Sequence, residues 1–408
     1  MSFSIATSGL NAITQQLSAI SNNIANSGTV GFKSGRAEFS ALYAQSQPLG
    51  VGVSGITQSI TRGGNIMASS SALDLAISGN GFFVVRDSAG TEAYTRAGYF
   101  GTDTNGNLVN RQGMNLQGYP VDANGVLQVG NVGNLNISSG AIPAKATNGL
   151  EFTANLDANA EVPKVTPLDP KDSSSYNNTY TTQVYDSLGR EHTLSQYFVK
   201  NADNTWTSHY YMDGEPVPDA TDPTKGATQT ISFSAQGVME VPNGAVDISL
   251  SIPGAEDLNL ELNYAGTTQF GSDFSVTKNK GDGYASGEKT GQQIDEEGFV
   301  YATFSNGERM LQGQLILANF TNPDGLASQD GTTWAQTSAS GTPLTGAPGS
   351  GLLGSIKAGA LEESNVDLTA ELVGLMTAQR NYQANTKVIS TNDSMMSGSN
   401  GSLNLYRR

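Results

Sequence analysis

Two stretches with the same spacing of apolar residues, at opposite ends of the chain, constrain its fold most. In both stretches the residues recur at intervals of four and three, and polar residues interrupt only the second stretch. The first seam is Ala6, Leu10, Ile13, Leu17, Ile20 and Ile24, and the second is Leu368, Leu372, Leu375, Gln379, Tyr382, Thr386 and Ile389. This heptad spacing predicts a helix at each end that packs against other helices.

The two predicted helices differ in charge. Lys33 is the first charged residue of the chain, so the N-terminal helix carries no charged side chain. A surface helix normally has charges on its wet face, which leaves two interpretations open: a helix in the core of a globular domain, or a helix surrounded by other subunits. The C-terminal helix carries Asp367, Glu371, Arg380, Lys387 and Asp393. We therefore expect the N-terminal helix to be the more buried of the two.

The middle of the chain predicts β-structure with hairpin turns. An Asp-x-x-Gly unit followed by strand residues recurs along this part of the sequence. In such a unit the Asp carboxylate caps the turn and the Gly takes the backbone conformation with positive φ. Its occurrences are Asp87–Gly90, Asp103–Gly106, Asp122–Gly125, Asp186–Gly189 and Asp295–Gly298. The recurrence predicts an antiparallel β meander or barrel.

Shifts in composition divide the chain into four predicted parts. A composition change near residue 144, with prolines close behind, indicates a separate β domain. The predicted parts are a terminal helical coiled-coil domain (1–28 and 362–408), an extended connector of short strands and loops (29–71 and 352–361), a β domain (72–144 and 283–351), and an outer β domain inserted in it (145–282). A poorly ordered linker is the alternative for residues 29–71. The predicted fold class is thus multidomain, with paired helical termini and mainly-β outer domains.

Composition excludes several classes of partner. The 408 residues carry a formal net charge of −16, which argues against nucleic acid or an anionic membrane surface as partner. The chain has no cysteine, so it has no disulfide and no thiolate metal site. No run of apolar residues is long enough to span a membrane. The N-terminal sequence lacks the features of a secretory signal peptide, so we expect export, if any, to need no cleaved signal.

No constellation of residues indicates an enzyme. Asp103–Asn107 resembles the opening of a calcium loop, but Gly106 and Met114 stand where such a loop needs other residues, so a hairpin turn is favoured. The two histidines, His192 and His209, lie in strand patterns without a zinc or nucleophile motif beside them. We expect no catalytic residue, cofactor or metal.

Three blocks of sequence together resemble the bacterial flagellar rod and hook (axial) protein family. They are SNNIANSGTVGFK at 21–33, LDLAISGNGFF at 73–83, and EESNVDL at 362–368 followed by QRNYQANTKVI at 379–389. The resemblance covers about residues 1–145 and 283–408. Its motif residues are Asn22, Asn23, Ala25, Asn26, Gly31, Phe32, Lys33, Gly81, Phe82, Phe83, Asn365, Val366, Asp367, Gln379, Arg380, Tyr382 and Asn385.

The resemblance implies a structural role. Length and one inserted domain are typical of the hook members of this family, which form a flexible tube that transmits torque from rod to filament and encloses an export channel. It implies self-assembly, contacts with the distal rod, hook cap and hook–filament junction proteins, and export by the flagellar type III apparatus to an extracellular location. It also implies that the terminal helices form the innermost layer of the tube. The intersubunit residues would be Leu10, Ile13, Leu17, Ile20, Ile24, Leu368, Leu372, Leu375, Tyr382 and Ile389. The alternatives are a distal rod or hook–filament junction protein, or a secreted β-rich adhesin.

Overall fold

The structure is a computed structural model with a long helix at each end and strands between. It describes residues 2–44, 47–122, 125–138, 140–219, 222 and 224–405. The helices are α1 (Ser2–Ala25) and α2 (Leu368–Leu405). The strands are β1 (Gly35–Ala44), β2 (Gln47–Gln58), β3 (Ile66–Ala68), β4 (Leu75–Ser78), β5 (Phe82–Arg86), β6 (Glu92–Thr95), β7 (Phe100–Thr102), β8 (Leu108–Asn110), β9 (Asn115–Pro120), β10 (Gly133–Asn134), β11 (Gly149–Asp157), β12 (Asn178–Tyr185), β13 (Glu191–Ala202), β14 (Thr205–Met212), β15 (Glu215–Pro216), β16 (Thr228–Phe233), β17 (Met239–Val241), β18 (Val246–Leu250), β19 (Leu258–Asn263), β20 (Thr268–Phe270), β21 (Ser275–Gly281), β22 (Lys289–Ile294), β23 (Phe299–Phe304), β24 (Arg309–Leu315), β25 (Leu317–Asn319), β26 (Ala327–Gln329), β27 (Thr333–Ala335), β28 (Leu344–Gly346), β29 (Ser355–Ala358) and β30 (Ala360–Glu362).

The chain forms two compact units. Unit 1 comprises Met1–Ser139, Gly291–Thr303 and Arg309–Arg408, and unit 2 comprises Gly140–Thr290 and Phe304–Glu308. Unit 1 therefore contains both helices, as the sequence predicts for the two ends of the chain. The finer division into four parts stays a prediction.

The β part of unit 1 is an antiparallel sheet around an aromatic core. Its path runs β24-β9-β5-β6-β27-β26. Phe82 of β5 makes edge contacts with Phe320 and Trp334, at ring-centroid distances of 6.0 and 5.6 Å. Aromatic rings in this arrangement add to the energy gained from burying their surface. The block that begins near residue 73 is thus a core strand.

A long hairpin of β1 and β2 occupies much of the predicted connector. The two strands pair over ten positions, from Gly35 opposite Gln58 to Ala44 opposite Gln47. The prediction of short strands was therefore wrong in length. Gly50 lets β2 lie directly against α1. A Cβ at this residue would lie 2.0 Å from the Ser8 hydroxyl of α1, so only glycine leaves room for the contact. Residues 355–362 also form strands, paired with β4 and β3.

Unit 2 has two sheets that share one core. One sheet has the order β12-β13-β14-β16-β17 and the other β18-β19-β11-β20, with β21 beside β11. Phe152 of β11 stacks on Phe198 of β13, with ring centroids 5.7 Å apart, and so joins the two sheets. β11 pairs in parallel with β19 and β20, which corrects the prediction of a wholly antiparallel body. Strands that are distant in sequence can pair in parallel, and hairpin motifs do not report such pairs.

The Asp-x-x-Gly turns form as predicted. In each of them the glycine N–H donates to the aspartate carbonyl at 3.0–3.1 Å, and the glycine φ lies between 77° and 90°. At Asp103 the carboxylate accepts the N–H groups of Asn105 and Asn107, both at 2.8 Å, which is the geometry of a capped hairpin turn. The turn that begins at Asp122 includes residues 123–124, which lie outside the described residues.

Candidate functional site: the helix pair and the buried junction

The helices α1 and α2 run antiparallel and contact each other along one face. A Cβ on Gly9 would lie 3.2 Å from Oδ1 of Asn385, and one on Gly374 would lie 3.5 Å from Cδ1 of Ile20. The Asn23 amide donates to Oε1 of Glu371 at 2.9 Å. Residue numbers thus rise along α1 as they fall along α2. Members of the two predicted seams, such as Ile20 and Leu375, therefore pack together within one chain.

The contact between the helices is narrow and uses small residues on α2. Ile13, Ile20 and Ala378 are its buried members, and Leu17, Ile24 and Leu375 pack partly buried against them. Small residues let two helix backbones approach closely, which is why Gly374 and Ala378 lie in the contact. The prediction from bulky apolar residues alone missed both of them.

The structure divides the predicted packing residues into covered and exposed groups. Leu10 and Ile389 are half-buried, as are Leu17, Ile24 and Leu375 in the contact named above. Leu368, Leu372 and Tyr382, by contrast, are 46%, 46% and 41% exposed. The predicted α2 seam is therefore not, as a whole, the face that meets α1. A role for these three residues between subunits stays a prediction.

A second face of α1 packs on the hairpin of β1 and β2. Ala6, Ala12 and Ala19 are buried, and the Ser8 hydroxyl accepts the N–H of Val51 in β2 at 3.2 Å. Threonine and serine hydroxyls of α1 bond to carbonyls of their own helix, as Thr14 does to Leu10 at 2.8 Å. These polar groups are satisfied locally, so α1 needs no charged partner. The packed faces of α1 therefore bury no charge, while a third face with Asn11, Gln15 and Ser18 stays exposed in the single chain and is polar without being charged.

Two asparagines join the helix ends to the hairpin. Asn23, at the C-terminal end of α1, exchanges two hydrogen bonds with the backbone of Gly35, both at 2.8 Å. Asn365, just before α2, accepts the N–H of Ser34 at 2.7 Å and donates to the carbonyls of Ser59 and Arg62 at 2.9 Å. Both side chains are buried, so an unpaired amide here would be costly. They are members of the motif set, and the structure gives both a joining role.

Between the asparagines lies a buried cluster of three charges. The Glu362 carboxylate accepts from Lys33 Nζ at 2.6 Å and from Arg96 Nη1 at 3.0 Å. Its Oε1 also accepts the N–H of Gly64 at 2.9 Å, and Lys33 donates to the Arg62 carbonyl at 2.9 Å. The three charged residues are 1–5% exposed. We call Lys33, Arg96 and Glu362 the junction cluster, because each comes from a different segment of unit 1.

In the junction cluster, burial and the attraction between opposite charges shift each pKa in opposite directions. Burial lowers the pKa of Lys33 and that of Arg96. Burial alone would raise the pKa of Glu362, but the charges of Arg96 and Lys33 outweigh it and hold that pKa below its ordinary value. A carboxyl group with a lowered pKa stabilises the fold above its unfolded pKa. This contribution is lost as the pH falls through the lowered value.

The other motif residues have separate structural roles. Gly31 has φ 72°, and a Cβ there would lie 2.5 Å from the Ala97 backbone nitrogen, so only glycine fits. Asp367 caps α2, because its carboxylate accepts the N–H groups of Thr369 and Ala370 at 3.0 and 3.1 Å. Phe82, Phe83 and Gly81 belong to the β core or its edge. Asn22, Ala25, Gln379 and Arg380 are exposed, and Asn26, Phe32, Val366 and Asn385 are half-buried.

The sequence-based prediction missed the partners of Lys33. Glu362 stood in a quoted block but was not assigned a role, and Arg96 was not singled out at all. The signal that could have drawn attention to Lys33 is its place as the first charge after a long uncharged stretch. Nothing local in the sequence points from Lys33 to its two partners.

The described residues hold no group of His, Cys, Asp and Glu side chains arranged for a metal ion. His192 and His209 lie in β13 and β14. His192 Nδ1 is 2.7 Å from Asp213, and its Nε2 is 3.4 Å from Asp186. A search of the described helices finds none long and apolar enough to cross a membrane.

Four family models match successive parts of the chain. They are described as the flagella basal body rod protein (residues 3–33), the flagellar hook protein FlgE/F/G D1 domain (76–155), the flagellar basal body protein FlaE D2 domain (155–284) and the flagellar basal body rod FlgEFG protein C-terminal (357–401). Lys33, Arg96 and Glu362 each fall in a different one of these segments. The two helices, the β units and these matches define a flagellar axial protein.

Curated relatives narrow the class to one family. The flagellar hook protein FlgE of Salmonella typhimurium (strain LT2) is 43% identical over 402 residues, which cover 97% of this chain and 98% of the relative. That of Escherichia coli (strain K12) is 41% identical over 401 residues, with the same coverage. The crystal structure of Helicobacter pylori FlgE2 matches with a TM-score of 0.55 at 15% identity, covering 72% of this chain and 100% of that one, which bears on the fold alone. The chain belongs to the flagellar hook protein FlgE family, a family of structural proteins.

Proposed function

We propose that the chain polymerises into the tube of the flagellar hook through its terminal helices. In this proposal α1 and α2 form the inner, coiled-coil layer, and the β units lie outside it, with residues 145–282 as an inserted outer domain. The tube acts as a flexible joint between rod and filament and encloses the export channel. Its neighbours are further copies of the chain, the distal rod, hook cap and hook–filament junction proteins, and the export apparatus. Its place is outside the cell.

The observation that carries the proposal is an apolar row left open on α2. Leu368, Leu372, Val373 and Met376 are 46–54% exposed, and they follow one another at intervals of one to four residues at the start of the helix. A contiguous exposed apolar row is typical of a surface that another protein covers. α1 also leaves Phe3 and Ile5 54% and 38% exposed, so both helices offer apolar surface to a neighbouring subunit.

The charges suit different positions for the two helices. α1 has no charged side chain, so close packing between subunits would bury no charge on it. α2 carries Arg380, Lys387 and Asp393 on positions that are exposed in the single chain. We therefore propose that α1 lies between subunits and that α2 borders the water-filled channel. We also propose that both terminal segments are disordered in the dilute monomer, because a helix of this kind is marginal until a partner covers its apolar seam.

The test is a charge placed on the open row. Leu372→Lys should leave the chain folded, because Leu372 is exposed and lies outside the α1 contact, but it should prevent tube formation at concentrations where the unmodified chain assembles. Gln383→Lys, on an exposed position of the same helix, is the matched control and should assemble normally. Circular dichroism reports folding, and electron microscopy with sedimentation reports tubes. Normal tubes from Leu372→Lys would overturn the proposal.

A further inference from the structure

The segment that follows α1 is tied to distant parts of unit 1. The Gly31 N–H donates to the Glu362 carbonyl at 2.8 Å, and the Ser34 N–H donates to the Asn365 side chain at 2.7 Å. We call residues 30–35 the α1 base. We propose that Lys33 is the positioning residue that pins the α1 base to the β part of unit 1 and so fixes the position at which α1 ends.

Lys33 is suited to this role because it is the one strong side-chain attachment of the base. Its neighbours in the base contribute neutral backbone hydrogen bonds, to the Glu362 carbonyl and to the side chains of Asn23 and Asn365, and a neutral bond contributes less than a bond between charged groups. The Lys33 ammonium instead reaches a carboxylate and a carbonyl in a buried place, through Glu362 and Arg62. Hydrogen bonds between charged groups are about twice as strong as neutral ones. A buried partner also accepts the ammonium in one position only.

The remaining members of the cluster can stand without Lys33. When Lys33 is removed, Glu362 keeps Arg96 and the Gly64 N–H as partners. Arg96 in turn keeps the Gly79 carbonyl at 2.9 Å and the Phe82 ring, 5.5 Å from the guanidinium carbon. Without Lys33, Glu362 and Arg96 remain as an ion pair with no net charge. Loss of Glu362, by contrast, would leave two cations facing each other. Loss of Lys33 should therefore release the base and leave the β part intact.

This inference goes beyond the proposed function, since it concerns the single chain and holds whether or not the chain polymerises. The attachment of the α1 base and the order of the helix itself are separate properties. The base can be fixed while the helix beyond it is still frayed. A fixed base holds the C-terminal end of α1 in a defined position, which a helix that pairs only on assembly would need.

The test is hydrogen exchange on the full chain in dilute solution. Lys33→Met keeps the apolar stem of the side chain and removes its charge. We expect the amides of Gly31, Ser34 and Ser59 to exchange at least about tenfold faster, the change that loss of a charge-assisted hydrogen bond gives. The amides of Val84 and Val85 in β5 should change by less than about threefold. Arg36→Met removes an exposed cation three residues away, bonded to Glu38, and is the matched control.

Each other result counts against the proposal. Unchanged exchange of the Gly31 and Ser34 amides in Lys33→Met would show that the backbone bonds hold the base without Lys33. Equal acceleration in β5, or a chain that does not fold, would make Lys33 a general stabiliser of unit 1 instead of a positioning residue. Fast exchange of the same amides in the unmodified chain would show that the base is not fixed at all.

Discussion

Both units of the protein bury charged side chains, but among the described residues only in unit 1 do three buried charges bond to one another. The buried charges of unit 2, Asp186 and Lys200, bond to a partly exposed arginine and to backbone carbonyls instead. In unit 1 the junction cluster joins residues 33, 96 and 362. In unit 2 Tyr264 donates to Gln196 at 2.6 Å and lies 3.0 Å from the hydroxyl of Tyr210, all three side chains being almost fully buried. A buried ion pair costs much folding stability when one partner is removed, because the other charge is left unpaired. Removing one member of a neutral network costs less stability. In unit 1 the buried charges hold widely separated segments together.

The largest effect should follow from removing the single anion of the junction cluster. Glu362→Gln leaves Lys33 and Arg96 facing each other without a counter-charge. Breaking a buried ion pair from one side costs about 3–5 kcal/mol, so we expect a loss of stability of that order in unit 1. Denaturant unfolding followed by the fluorescence of Trp334, which lies in the core of unit 1, measures it.

Glu38→Gln is the control for this substitution. Glu38 pairs with Arg36 on the surface, and that exposed pair should contribute little. A loss below about 1 kcal/mol in Glu362→Gln would mean that the cluster does not hold unit 1 together. The buried charges would then not explain how unit 1 differs from unit 2, and apolar packing alone would hold unit 1 together.

A smaller effect should appear in unit 2 at alkaline pH. Burial raises the pKa of Tyr210 to about 12 and that of Tyr264 well above its ordinary value, because the charged form cannot be solvated in the core. A tyrosine whose pKa is raised on folding stabilises the fold fully below its unfolded pKa, about 10. That contribution is lost as the pH rises from there towards the folded value. We expect unit 2 to lose stability between about pH 10 and pH 12.

Tyr210→Phe tests the cause of the alkaline loss. It removes one titrating hydroxyl and one hydrogen bond, so it should lower stability by about 1 kcal/mol at pH 9 but narrow the difference between pH 9 and pH 11. Tyr43→Phe changes an exposed ring, 68% accessible, and should do neither. The fluorescence of Trp206, in the core of unit 2, reports unfolding of this unit. An unchanged pH dependence in Tyr210→Phe would assign the loss to other groups.

Local patterns in the sequence predicted local structure well. The heptads placed both helices, and the Asp-x-x-Gly units placed turns such as those at Asp87 and Asp186, because such elements depend on residues a few positions apart. The face of α2 that meets α1 was predicted less well. Helix contacts select small residues such as Gly374 and Ala378, and a search for bulky apolar residues passes over them.

The junction cluster could not be predicted from the sequence for a different reason. Its three charges are more than sixty residues apart in each case, and which charges meet is decided by how β30 and the turn after β6 are placed. Lys33 alone gave a hint, through its place after the uncharged stretch. The parallel pairing of β11 escaped prediction in the same way, since it joins strands that no hairpin motif connects.

The smallest effect should come from an ion pair in unit 2 that has the chemistry of the junction cluster but lies in water. Lys145 Nζ is 2.9 Å from Oδ2 of Asp282, and the two side chains are 46% and 41% exposed. Lys145→Gln should therefore cost less than about 1 kcal/mol, because water replaces most of the attraction between exposed charges. The loss should shrink further in about 1 M salt, where screening acts within about 3 Å. A loss as large as that of Glu362→Gln would show that burial is not what makes the junction cluster strong.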